Sequence, residues 1–241
     1  MIVLNYHELV EVSPPNAWCL THETFNAHLA LCGDRLVSPQ SFLKHCTDPK
    51  ANRTDAVLLT FDDGFVSDYT LVYARYVKTG RIPGFMSFIP VEFVGAPGRM
   101  SWKMIEEIAR GGVVIGSHGM AHVDLTSVSG AELKRELTVS KSMLEDRLGQ
   151  PITLFAFPYG RFSRRVWETA LMAGYTHLFT IQLGHHRGFE SFLYSRLCLT
   201  NNMDAEYMRQ YFLDPASMRS VAWKISTKLG LYRQLMRWRY R

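Results

Sequence analysis

"AVLLTFDDGF", residues 56–65, decides how this chain is read. A run of β-forming apolar residues ends in two adjacent carboxylates, Asp62 and Asp63, followed by Gly64. Acids are poor strand residues and like charges repel, so a pair at the end of a buried strand needs a reason. Similar apolar runs recur at 2–5, 84–89, 113–117, 153–157, 177–181 and 194–200. Met86, Phe88 and Phe155 fall within them as core residues.

Helical patterns lie between most of these runs. Residues 22–34 place Phe25, Leu29 and Cys32 on one face, and 101–112 start on a capping Ser101 and stop at glycines. Residues 129–150 open with Ser129 and Glu132 in capping-box spacing, carry Leu133, Leu137, Ser140 and Leu144 as a stripe, and end at Gly149. Residues 164–175 read as another short helix. Strands alternating with helices mean parallel β/α units. About seven such units point to a barrel, which removes both sheet edges, with an open doubly wound sheet as the alternative.

The 241 residues are 47% hydrophobic and 20% charged, so the chain is globular and long enough for a substantial core. Its four cysteines (Cys19, Cys32, Cys46, Cys198) show no metal or disulfide spacing and read as free thiols. The N-terminus reads as a strand and not a signal peptide, and no apolar run reaches a membrane span; the expectation is a cytoplasmic protein. The net charge of +5 is uneven: residues 216–241 hold seven basic residues and no acid, leaving 20 basic against 22 acidic residues elsewhere. That distribution argues against a nucleic-acid footprint on the body. It divides the chain into one domain at 1–215 and a basic tail at 216–241. In the tail Val221, Ile225, Leu229, Tyr232 and Met236 follow helical spacing beside Trp223 and Trp238. A basic amphipathic helix of this kind suits an anionic membrane surface, and a final helix packed on the barrel is the alternative.

Four polar clusters follow predicted strands directly: His7, Asp62 with Asp63, His118, and Pro158 with Tyr159. In a β/α barrel the carboxyl ends of the strands meet at one mouth, where active sites are built. "SHGMAH" (117–122) spaces His118 and His122 four apart, which on a helical turn puts both imidazoles on one face for a divalent metal. Gly119 occupies the place where a zincin helix has glutamate, so a carboxylate must come from elsewhere, and the Asp pair offers one. Adjacent residues at a strand end point in different directions. One aspartate can therefore ligate a cation while its neighbour faces the substrate. A solvated Asp-Gly turn and surface histidines are the bland alternatives. His185 and His186 read as a polar loop, Trp102 as a packing residue, and His22, His28 and His45 as exposed.

"TFDDGF" (60–65), "SHGMAH" and "FAFPYG" (155–160), in that order, resemble the polysaccharide deacetylase family with the NodB-homology domain, carbohydrate esterase family 4, over roughly residues 1–200. "YHEL" (6–9) further resembles the branch that deacetylates poly-N-acetylglucosamine and related bacterial exopolysaccharides. The resemblance implies a distorted (β/α)7 barrel holding one divalent metal ion, usually zinc, through Asp63, His118 and His122. It assigns Asp62 as general base, His7 as general acid, and the Tyr159 backbone N–H as oxyanion donor. Two departures stand out. Ala156 occupies a place where many members have arginine; Arg196, in "YSRLCLT" (194–200), matches a late-strand arginine that would supply that charge, with a plain salt bridge as its alternative. The "LxH" motif of other branches is absent, consistent with His7 as the acid. The implied substrate is an N-acetylated glycan or a lipid-linked sugar. O-acetyl ester hydrolysis, peptidoglycan or chitin-oligomer deacetylation, deformylation of a lipid-linked sugar, and an inactive carbohydrate-binding or scaffold protein are the alternatives.

Overall fold

The computed structural model describes residues 2–47, 55–182 and 193–212. Among these residues, ten strand segments are interspersed with helices: β1 (Ile2–Tyr6), β2 (Glu8–Val10), β3 (Cys19–Thr21), β4 (Val57–Asp62), β5 (Met86–Ile89), β6 (Val114–Ser117), β7 (Leu154–Ala156), β8 (His177–Thr180), β9 (Leu193–Ser195) and β10 (Leu197–Cys198). The α-helices are α1 (His22–Cys32), α2 (Pro39–Thr47), α3 (Trp102–Arg110), α4 (Gly130–Leu148), α5 (Arg164–Met172) and α6 (Ala205–Phe212). Asp68–Val77 forms a wide π-type helix after β4.

Eight segments form one sheet in the order β10-β1-β4-β5-β6-β7-β8-β9, with every pair parallel. The two ends of that order belong to one stretch of chain. β9 pairs with β8 and β10 pairs with β1, and only Arg196 stands between them. Its N–H still bonds Thr180 O at 2.8 Å, after which Leu199 N–H bonds Asn5 O at 2.9 Å. The last strand thus bridges both edges, and the sheet is a distorted (β/α)7 barrel. β2 and β3, which the sequence reading did not anticipate, make a separate parallel pair beside the mouth.

The two-residue period of the strands sorts side chains into two layers. Leu58, Met86, Phe88, Leu154, Ala156 and Phe179 fill the barrel interior. Gly116 is required there, because a Cβ at that position would stand 2.5 Å from the Phe88 ring. Leu59, Phe61, Ile115, Phe155 and Leu178 instead pack outward against the helices, meeting Ile105, Leu133, Leu137 and Val166. Fully burying an aliphatic or aromatic side chain contributes roughly 1.5–3 kcal/mol, so this double layer supplies most of the driving force.

The helix signals act as expected. Ser101 caps α3 through Met104 N–H at 3.4 Å, and Ser129 caps α4 through Glu132 N–H at 3.2 Å. Gly149 ends α4 in a left-handed conformation. Trp102 packs on the core beside the Arg147 guanidinium. All four cysteines are free thiols. The expected exposure of the histidines outside the site fails at His28, which is fully buried with Nδ1 3.3 Å from the Tyr6 hydroxyl and Nε2 2.8 Å from Met203 O. The segment before α6 folds back over α1 and covers it. His22 is half-buried against the Tyr76 hydroxyl at 2.6 Å. The His45 side chain, His185, His186 and the tail 216–241 lie outside the described residues. No helix among the described residues is long and apolar enough to cross a membrane.

Candidate active site

Because all strands of the barrel run one way, their carboxyl ends share one mouth. β1 delivers His7 there, β4 delivers Asp62 and Asp63, β6 delivers His118, and β7 leads into the turn bearing Tyr159. Inward-facing polar residues replace apolar ones near this end.

Asp62 is the last residue of β4 and is buried. Arg196, the largest fully buried side chain among the described residues, grips it bidentately: NH1 to Oδ1 at 2.7 Å and NH2 to Oδ2 at 2.8 Å. Asn5 Nδ2 donates a further bond to Oδ2 at 3.1 Å. Asn5 Oδ1 in turn accepts from Arg196 NH1 at 2.9 Å and from the Thr60 hydroxyl at 3.1 Å. The guanidinium lies 5.1 Å from the Phe88 ring centroid. Burial alone would push the Asp62 carboxyl up; the Arg196 charge and its hydrogen bonds overcome that and hold it well below the usual carboxylate range.

Asp63, one residue on, has left the strand. Its φ of 73° is left-handed, and Arg99 NH1 fixes the turn by donating to its carbonyl at 2.8 Å. Arg99 itself is held over the Phe65 ring, 3.6 Å from its centroid. Asp63 Oδ1 is buried and receives no hydrogen bond among the described residues. It faces His122 Nε2 at 3.3 Å and His118 Nε2 at 3.7 Å. His118 Nδ1 donates to Ala156 O at 2.7 Å, which leaves the lone pair on Nε2. Burial pushes the His118 imidazole down to about 4, so it is neutral at neutral pH. The His118–His122 segment is an irregular loop rather than the expected helical turn, and His122 has a φ of 55°. The imidazoles converge because the loop folds back.

These three residues fit a metal ion. Two donors about 2.1 Å from one tetrahedral ion stand roughly 3.4 Å apart. One ligand atom from each of Asp63, His118 and His122 lies within 4.8 Å of the others. The buried carboxylate oxygen with no donor and the fixed imidazole tautomer are what a cation would use.

His7 follows β1 and is half-buried, its ring 5.4 Å from that of Trp18. Its Nδ1 is buried with no hydrogen-bond partner among the described residues. Burial lowers its pKa, while the charges of Asp63 and Asp62 oppose that shift. Tyr159 sits in the Pro158–Gly160 turn with φ 58° and is 41% exposed, its ring 4.7 Å from that of His122.

The structure therefore gathers Asp62, Asp63, His118, His122 and Arg196 by direct contact, with Tyr159 against His122. His7 enters through the electrostatic influence of both aspartates. Reading the sequence missed Asn5, Thr60, Arg99 and Glu136. Glu136 had a visible signal, being an acid on the apolar stripe of α4 between Leu133 and Leu137. Asn5 had one too, as a polar residue inside the β1 run.

The profile of the polysaccharide deacetylase family matches residues 50–178, more than half of the chain. The chain belongs to the polysaccharide deacetylase family, a class of hydrolases. Among curated relatives, Bacillus subtilis YxkH, which bears a polysaccharide-deacetylase name, is 25% identical over 176 residues, 72% of this chain and 61% of that protein. The peptidoglycan-N-acetylmuramic acid deacetylase PdaA of Bacillus subtilis is 28% identical over 124 residues, 51% of this chain and 45% of that one. The chain thus spans about half to three fifths of these relatives' lengths. Streptococcus pyogenes deacetylase PplD, solved in complex with acetate, shares the fold, with a TM-score of 0.76 and 22% identity over 87% of this chain and 96% of that one.

Proposed function

We propose that this chain is a metal-dependent hydrolase removing N-acetyl groups from N-acetylhexosamine units of a bacterial exopolysaccharide or its lipid-linked precursor. The observation that carries the reading is the division of labour at the mouth: three facing donors beside a carboxylate held ionised by arginine. Asp63, His118 and His122 would hold the ion, with zinc the best match to one oxygen and two nitrogen donors. When bound, such an ion supplies a Lewis acid that polarises an acetyl carbonyl and acidifies water.

The remaining steps belong to the chain's own side chains. Asp62 takes a proton from the attacking water, and its bidentate contact with Arg196 fixes which way its oxygens point. Arg196 is thereby a positioning residue, doing from a late strand what an arginine at Ala156 would do. The Tyr159 main-chain N–H donates to the developing oxyanion. His7 gives a proton to the departing sugar nitrogen; burial lowers its pKa, and the charges of Asp63 and Asp62 offset part of that shift. Acetate and a free amine result.

A second reading, deacetylation of peptidoglycan, is favoured by the similarity to PdaA. For the tail, composition supports peripheral attachment to an anionic membrane, which would place the enzyme beside lipid-linked substrates on the cytoplasmic face. One assay tests these readings. Acetate release is measured from N-acetylglucosamine oligomers, peptidoglycan fragments and lipid-linked glycans in anionic vesicles, with and without chelator. Release from the glucosamine series, lost with chelator and recovered with Zn2+, is expected. Turnover confined to peptidoglycan selects the second reading, and chelator-resistant turnover rejects the metal. Removing 216–241 is expected to release the protein from the vesicles while retaining turnover on soluble oligomers.

A further inference from the structure

Glu136 projects from the buried face of α4 and is 1% exposed. Its Oε2 accepts hydrogen bonds from Met120 N–H at 2.8 Å and Ala121 N–H at 3.2 Å, and its Oε1 accepts from Ala121 N–H at 3.4 Å. Among the described residues its carboxylate is held by main-chain donors alone. Both oxygens thus accept from main-chain N–H groups of the loop. Met120 and Ala121 lie in the loop between the two histidines. On the other side of that loop, Val91 and Glu92 N–H donate to the carbonyls of Gly119 and Met120 at 3.1 and 3.0 Å. Gly119 N–H bonds the Ser117 hydroxyl at 3.2 Å. Gly119 has a φ of 83°, and a Cβ there would stand 2.9 Å from Glu136 Oε2.

The loop is thus clamped between a buried acid and the backbone after β5. A neutral amide or hydroxyl could satisfy one main-chain donor without the cost of burying a charge. A charge becomes useful where a cation binds nearby. We infer that Glu136 is a positioning residue of the metal centre: its carboxylate sets the separation of His118 from His122 and adds negative charge behind the ligands. This rests on the metal reading of Asp63, His118 and His122. Glu136 lies 16 residues beyond Met120, outside the ligand motif itself.

The test is the Zn2+ affinity of the full chain, measured by competition with a chromophoric chelator, with Co2+ visible absorption reporting ligand geometry. Glu136→Gln is expected to weaken Zn2+ binding ~10–100-fold and to alter the Co2+ spectrum. Its melting temperature in excess EDTA should fall by less than its Zn2+-induced increment does. Gly119→Ala, which keeps the acid but crowds it, should weaken binding in the same direction and serves if Glu136→Gln does not fold. Affinity within about twofold of the unsubstituted protein, in either folded variant, overturns the inference. An unsubstituted chain that binds no Zn2+ overturns the metal reading and this inference together. Normal binding by both proteins overturns the inference alone.

Discussion

Asp62 lies inside β4 with both oxygens occupied by Arg196 and Asn5, whereas Asp63, its neighbour in sequence, lies outside the strand with a buried Oδ1 that accepts no hydrogen bond among the described residues. Both Asp62 oxygens are held by hydrogen bonds; Asp63 keeps Oδ2 3.8 Å from the Arg99 guanidinium and turns Oδ1 toward the histidines. The contrast teaches how two identical side chains acquire different chemistry. Asp62 is held ionised and oriented, the state needed to accept a proton. Asp63 is turned by its left-handed backbone toward two imidazoles, the geometry needed for a ligand.

The largest expected effect separates the two acids directly. Asp62→Asn should lower kcat for acetate release by ~10²–10⁴-fold and leave bound metal unchanged, as read by elemental analysis. Asp63→Ala should empty the site of metal. If Asp62→Asn is the variant that loses metal, the roles are reversed and the comparison fails.

Stability gives the next effect. Arg196→Met leaves Asp62 buried without its cation and should cost about 3–5 kcal/mol in denaturant unfolding at pH 7. The folded pKa of Asp62 is depressed, so this contribution is complete above the ordinary carboxylate value of about 3.9 and is lost as pH falls through the lower folded value. The gap between parent and variant should therefore narrow in strong acid. A gap that stays constant with pH would mean that Arg196 acts by packing and not by charge.

A third acid sharpens the picture with the smallest effect. Asp68 is also buried, but its Oδ2 accepts a hydrogen bond from a neutral group, the Ser87 hydroxyl at 2.9 Å, and burial raises its pKa well above the usual range. Here the sign is opposite: the contribution to folding is present below the ordinary carboxylate pKa and is lost as pH rises through the raised folded value. Asp68→Asn should gain stability over the parent as pH climbs, on the order of 1 kcal/mol, in parallel unfolding titrations. No gain at high pH would place Asp68 among the satisfied acids with Asp62.

Much of this arrangement was legible beforehand because its signals are local. The run into Asp62 and Asp63, the caps at Ser101 and Ser129, and the stripe on α4 each depend on residues a few positions apart. The spacing of His118 and His122 was also visible, but the helical turn inferred from it was not formed. Gly119 and the clamp from Glu136 bend that segment into a loop, and the imidazoles meet by a different route. His28 was misread as exposed because its cover, Met203, lies 175 residues away. Arg196 and Asn5 are 191 residues apart, and no periodicity connects them.

The alternation of strands and helices, and the acids and histidines at the strand ends, can be read from residues a few positions apart. Short-range propensity and the two-residue pleat carry that information. Folding alone sets which aspartate a guanidinium grips at both oxygens and which turns an oxygen toward the histidines. That outcome depends on where one buried guanidinium comes to rest when the last strand closes the barrel. Electrostatic energy in a dry interior is set by distances of a few ångströms between residues that the chain keeps far apart.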